Sequence, residues 1–144
     1  MRGAGSSMTA PRSIRVQRCL ATLLVISAGL LLRRFGYDLG LSFFVVKYGG
    51  SVLWGAMVFL ALATLTGSVN IGRLAFAAFL IALSVELSRL YHTPELDAFR
   101  LTTAGKLLLG RVFSLRNIAA YAVGIGIAGA VESWRLKRGR RSSV

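Results

Sequence analysis

LAFAAFLIALSVELSRLY, residues 74–91, decides the fold. Its first twelve residues, Leu74 to Val85, carry no charge, and Glu86 then follows the apolar run directly. Uninterrupted apolarity of this length reads as a membrane-spanning helix. The rest of the chain agrees with that reading. Of 144 residues, 55% are hydrophobic and 16% charged, mean hydropathy is +0.65, and the length allows one domain.

Four apolar runs emerge: Cys19 to Leu32, Gly49 to Thr66, Leu74 to Tyr91 and Ile118 to Trp134. The expected fold is an all-α integral membrane protein, a four-helix transmembrane bundle with a short interfacial helix between the third and fourth spans. A basic N-terminal tail (1–18), a membrane domain (19–134) and a basic C-terminal tail (135–144) make up the chain. The first run falls short of the roughly 20 apolar residues a bilayer core requires, so Arg18 and Arg33 are expected to snorkel or the bilayer to thin. RRFGYD after Leu32 lacks a small-residue cleavage pattern, so the first helix is read as uncleaved.

Lys and Arg total 18 against five acids, a formal net charge of +13. The surplus gathers at the ends, at Arg2, Arg12, Arg15 and Arg18, and again at Arg135, Lys137, Arg138, Arg140 and Arg141. Basic clusters flanking apolar helices mark cytoplasmic juxtamembrane segments and argue against nucleic acid as the partner. With Arg73 they outnumber Arg33, Arg34, Lys47, Arg100, Lys106, Arg111 and Arg116 on the opposite side. Both termini are therefore placed on the cytoplasmic side of the membrane, and Glu86 near the outer surface.

Counted from Tyr91 as the helix end, Glu86 lies about 8 Å within the apolar zone. A carboxylate there costs a few kcal/mol on insertion scales and demands a partner. Arg89, three residues on, lies on the same face; a locally neutralised pair without further role is one reading. In the fourth run, Asn117, Tyr121, Gly124 and Ala128 share one face, with Tyr121 at a depth similar to Glu86. The small residues below are expected to let the third and fourth spans approach closely. Gly124, Gly126 and Gly129 spell G-x-G-x-x-G, but no strand precedes them, so they read as packing residues and not as a dinucleotide site.

Between these spans, Thr93-Pro94-Glu95 reads as a helix start and Gly105 as a stop, giving an interfacial helix over 94–104. LLLG, residues 107–110, is read as dipping back toward the membrane. Asp97 and Arg100, at i and i+3, are expected to pair and overhang Glu86. His92, Glu95 and Asp97 make a weak metal constellation without a second histidine or cysteine, so no metal and no cofactor is expected. Cys19, the single cysteine, reads as a small buried apolar side chain.

ELSRLYHTPELDAFRLTTAGKLLLGRVFSLRNI, residues 86–118, with Tyr121 to Gly124, Lys47-Tyr48-Gly49, Leu53-Trp54-Gly55 and the Arg33-Arg34 pair, resembles the bacterial membrane family named as domain of unknown function 2809, itself similar to VanZ-like proteins. The resemblance covers residues 18 to 131. It implies a small multipass protein with a polar patch at Glu86, Asp97, Arg100, Ser114 and Tyr121, linked by analogy to envelope lipids or glycopeptide resistance. Arg89 stands where the family pattern has glutamine, Asn117 and Ser51 where it has aspartates, and Glu95 where it has tryptophan.

Two function classes follow. The first is a non-enzymatic multipass protein whose outer cluster of Glu86, Arg89, Asp97, Arg100, Asn117 and Tyr121 binds an anionic envelope lipid headgroup or a membrane partner, with Lys106, Arg111 and Arg116 nearby. The second is a membrane enzyme acting on a lipid-linked phosphate, with Glu86 as general base and Arg89 and Arg100 as phosphate clamps. Four short spans without internal repeats argue against a transporter.

Overall fold

The computed structural model of the chain describes residues 10–109 and 112–141. Among them the chain forms α1 (Arg12–Phe35), α2 (Phe43–Thr66), α3 (Ile71–Ser88), α4 (Pro94–Leu101), α5 (Thr103–Leu108) and α6 (Leu115–Arg141). Three of these, α1, α2 and α3, are long and apolar enough to cross a membrane. The fourth long helix, α6, has 27 residues, and Asn117, Tyr121 and Glu132 dilute its apolarity. Arg2, Gly110 and Arg111 lie outside the described residues.

Local chemistry sets the boundaries. Ser42 caps α2 by accepting from the Val45 N–H at 3.4 Å, Asn70 caps α3 by accepting from Arg73 N–H at 3.0 Å, and Thr93 caps α4 by accepting from Leu96 N–H at 3.2 Å. Gly67 ends α2 with φ of +64°, a left-handed conformation that glycine adopts without steric cost.

α2 is the central helix, packed against α1, α6 and α3, while α6 also packs on α3. Phe59, Ala63, Ala78 and Ala82 are fully buried at these seams, with Ile125 and Ala128 of α6 beside them. α1 buries only Arg18 and leaves Leu20, Leu23, Leu24 and Leu31 exposed. Such a surface suits hydrocarbon as the surrounding solvent, where apolar exposure carries no penalty.

Several expectations need correction. α1 spans 24 residues, not the 14 of its apolar run, because the flanking arginines are themselves helical. At 1.5 Å per residue it extends about 36 Å, enough for a hydrocarbon core of roughly 30 Å without thinning. Arg18 does not snorkel: it is fully buried and paired with Glu132. Cys19 is exposed on α1, not buried. α3 ends at Ser88, three residues before Tyr91, so Glu86 sits in its last turn and Arg89 is the C-cap.

The single helix expected over 94–104 is two, broken at Thr102, whose extended backbone and side chain start α5 by accepting from Gly105 N–H at 3.0 Å. Gly105 is therefore no stop. It lies inside α5, where a Cβ would come within 2.0 Å of the Phe99 carbonyl oxygen. Leu107 and Leu108 complete α5 and Leu109 caps it.

The close approach made by small residues also has a different partner. A Cβ on Gly124 would meet the Val52 carbonyl oxygen at 1.9 Å, and one on Gly55 would meet the Tyr121 carbonyl oxygen at 2.5 Å. These reciprocal glycines set the closest backbone contact of α6 with α2, while α6 also packs on α3. Gly126, in contrast, faces outward, and a Cβ there would meet nothing within 4 Å.

Candidate functional site

Glu86 ends α3 fully buried, and the chain supplies four donors to its two oxygens. Oε1 accepts from the Ser114 backbone N–H at 2.7 Å and from Asn117 Nδ2 at 3.2 Å. Oε2 accepts from the Tyr121 hydroxyl at 2.9 Å and pairs with Arg89 Nη1 at 2.6 Å. Asn117 and Tyr121 are one helical turn apart on α6, which is why both reach one carboxylate. A buried charge requires this degree of satisfaction.

Arg89 is the hinge of the arrangement. Beyond Glu86 it donates through Nη2 to the Tyr121 hydroxyl at 3.0 Å, through Nη1 to the Val112 carbonyl at 3.2 Å, and through Nε to the Leu109 carbonyl. It therefore ties the end of α3 to α6 and to the segment that follows α5. Ser51 of α2 joins from the other side, its hydroxyl 3.4 Å from Asn117 Oδ1 and 3.2 Å from the Lys47 carbonyl. One hydroxyl proton serves these two acceptors, so they compete for it.

In front of this cage lies a cavity of about 330 Å³. Arg89, Asn117, Tyr121 and Ser51 form its floor, and Arg33 of α1, Lys47 of α2 and Lys106 of α5 its walls, with Trp54, Phe43 and Val112. Glu86 is behind the floor and does not line it. Among the described residues no carboxylate lies within ion-pair distance of Arg33, Lys47 or Lys106. The cavity is thus lined by four cations, of which one is internally compensated.

Asp97 and Arg100 are elsewhere. Arg100, 2% exposed, donates through Nη1 to the Tyr91 carbonyl at 2.8 Å and through Nη2 to the Ser88 carbonyl. The Ser88 carbonyl, which also accepts from the Tyr91 N–H at 3.1 Å, ends α3, and Tyr91 lies three residues beyond it, so Arg100 clamps the turn that follows the helix. Asp97 Oδ1 holds Arg100 Nη1 at 3.0 Å and lies 3.1 Å from His92 Nδ1. The His92 contact, with Arg100 adding to it, holds the Asp97 carboxyl below its ordinary value despite desolvation acting the other way. None of the hydrogen bonds of Asp97 or Arg100 goes to Glu86. The structure brings together Glu86, Arg89, Asn117 and Tyr121, and sets Asp97 and Arg100 apart as a brace on α3.

Sequence reading missed Arg33, Lys47, Ser51 and Trp54 as cavity walls, and missed a second buried ion pair. Arg18 Nε donates to Glu132 Oε1 at 2.7 Å, and Arg18 Nη1 to the Ala63 and Ser68 carbonyls at 3.0 and 2.9 Å. The signal was present in Glu132, an acid inside the last apolar run, which by the rule applied to Glu86 demanded a buried cation.

A family model described as "Protein of unknown function (DUF2809)" matches residues 41–125, more than half of the chain. The chain belongs to that family. The DUF2809 match takes in α2 to α5 and the first turns of α6, hence the whole Glu86 cage. It excludes α1 and Glu132, so Arg33 and the Arg18–Glu132 pair lie outside it. No solved structure significantly matches this DUF2809 chain.

Proposed function

We propose that this DUF2809 member crosses the bacterial cytoplasmic membrane four times, with α6 as the fourth span, α4 and α5 at the outer interface, and both termini inside. The membrane domain then covers residues 19–134, and the exposed basic side chains that flank it, Arg12, Arg15, Lys137 and Arg141 among them, lie against the anionic inner leaflet. Its outer cavity binds the anionic headgroup of an envelope lipid, without chemical turnover. One observation carries this reading: three cations, Arg33, Lys47 and Lys106, converge on a single cavity without a carboxylate to neutralise them. Exposed Phe99, Leu101 and Leu108 on α4 and α5 support the interfacial placement.

Arg89, Asn117 and Tyr121 are the floor that meets the headgroup, and Glu86 is the positioning residue that holds all three. The enzymatic reading, with Glu86 as general base, gains no support from a carboxylate that is fully buried, occupied by four donors and absent from the cavity lining. The test is lipid that copurifies with the full chain, quantified by mass spectrometry. Each cation near an anionic membrane contributes about 1 kcal/mol, so the double variant Lys47→Ala/Lys106→Ala should retain anionic lipid roughly thirtyfold more weakly. Arg34→Ala/Arg116→Ala, which removes the same charge outside the cavity, should retain it as the wild type does. Equal retention by both double variants refutes the proposal.

A further inference from the structure

We infer that the ligand of the outer cavity is a lipid whose hydrocarbon chain lies in the groove between α1 and α2, an inference that rests on the headgroup reading above. A second cavity, about 340 Å³ and almost wholly apolar, runs beneath the cationic one, and Arg33 and Trp54 line both. A third of about 390 Å³, between α1, α2 and α6, continues it and shares Val25 and Leu53 with it. Charge at the outer end and an apolar groove that runs from it until Glu132 and Arg135 line the far cavity is the polarity of one amphipathic molecule. Phosphate alone would use the outer cavity and leave the groove unexplained.

Dimensions agree with a chain from one leaflet. From Arg33 to Val25 and on to Ala21, the groove follows α1 for about 18 Å, against roughly 15 Å for half of the bilayer hydrocarbon. At the junction, the Trp54 indole N–H is buried and has no hydrogen-bond partner among the described residues. The Trp54 ring lines both cavities, so a chain in the groove would pack against it. Because lipid tails are as apolar as the groove, the chain adds little affinity. Headgroup charge decides retention, and the groove decides where the chain goes.

These two roles separate experimentally. The chain has two tryptophans, so Trp134→Phe leaves Trp54 as the only reporter. That variant is reconstituted with phosphatidylglycerol or phosphatidylcholine brominated in the acyl chains, at equal mole fraction, and Trp54 quenching is read alongside the copurified lipid. The anionic brominated lipid should quench at least twofold more strongly than the zwitterionic one. Gly29→Phe places a ring in the groove, where a Cβ has only Leu53 Cβ at 4.0 Å, and should abolish that excess. Equal quenching by the two lipids, with anionic retention intact, overturns the groove and leaves the headgroup reading standing. Loss of selective retention in the Trp134→Phe parent overturns both. The two-lipid comparison needs no groove variant, so a folding failure of Gly29→Phe does not rescue the inference.

Discussion

Glu86→Gln keeps the side-chain volume and removes the charge that four donors share. Arg89, 9% exposed and 2.6 Å from that carboxylate, loses its counterion while staying largely shielded at the cavity floor. Turning the new amide does not repair the site. With its NH2 toward Ser114 it faces a backbone N–H that can only donate, and turned the other way it faces the guanidinium. Breaking a buried pair by removing one partner costs about 3–5 kcal/mol. At roughly 3 °C per kcal/mol for a chain of this size, the unfolding midpoint should drop by about 10–15 °C. Thermal unfolding of the purified full chain, followed by circular dichroism, measures it. The double variant Glu86→Gln/Arg89→Gln should lose at least about 1 kcal/mol less than the sum of the single losses, since neither charge is then stranded. A midpoint shift below about 3 °C for Glu86→Gln, or additive single losses, would refute the cage.

The helix contacts make a paired prediction in the same assay. Gly124→Ala drives a methyl toward the Val52 carbonyl, 1.9 Å away, and should cost about 3 kcal/mol, whereas Gly126→Ala meets nothing and should be neutral or stabilising by up to about 1 kcal/mol. Similar effects of the two would disprove the close α2–α6 seam. Arg18→Ala should lose about 3 kcal/mol, because buried Glu132 is then left with only Arg135, at 3.7 Å, as its cation, and Arg18→Met/Glu132→Leu should recover most of that loss; a double variant as unstable as the single one contradicts the buried pair. Asp97 carries a pH dependence. Its folded-state carboxyl lies below the ordinary 3.8, so its stabilisation is present above that value and disappears as pH falls through the lower folded-state value. Asp97→Asn should flatten the acid limb of the unfolding midpoint, and an unchanged limb would show that other groups set it.

Local signals carried much of the fold. The Thr93-Pro94 start was readable because a capping hydroxyl and an N1 proline act over four residues, and the shared face of Asn117 and Tyr121 because helical periodicity is local. The partners of those faces were not readable. Arg18 meets Glu132 across 114 positions, and nothing in either neighbourhood specifies the other. Arg100 misled for a related reason: its spacing from Asp97 was correct, but whether it would overhang Glu86 or hold the Ser88 and Tyr91 carbonyls depended on how α4 folds back on the end of α3. Gly105 looked like a helix stop because a glycine needed for close approach and a glycine needed for left-handed backbone are identical in sequence.

The residues at 51, 89 and 117, where the resemblance implies acids or glutamine, together shift the site toward positive charge. An aspartate at 117 could not donate to Glu86, as Asn117 Nδ2 does at 3.2 Å, and would set a second carboxylate against the first. An aspartate at 51 would face the same cavity as Lys47 and Arg33 and neutralise part of its charge. With Ser51 and Asn117 neutral, no second carboxylate competes with Glu86 for Arg89, which neutralises it while also reaching Tyr121. The carboxylate is thereby sealed behind the floor, and the cations in front of it keep their charge unneutralised by it. That arrangement sacrifices an acid that could carry protons and keeps a cavity whose charge is available to an anion.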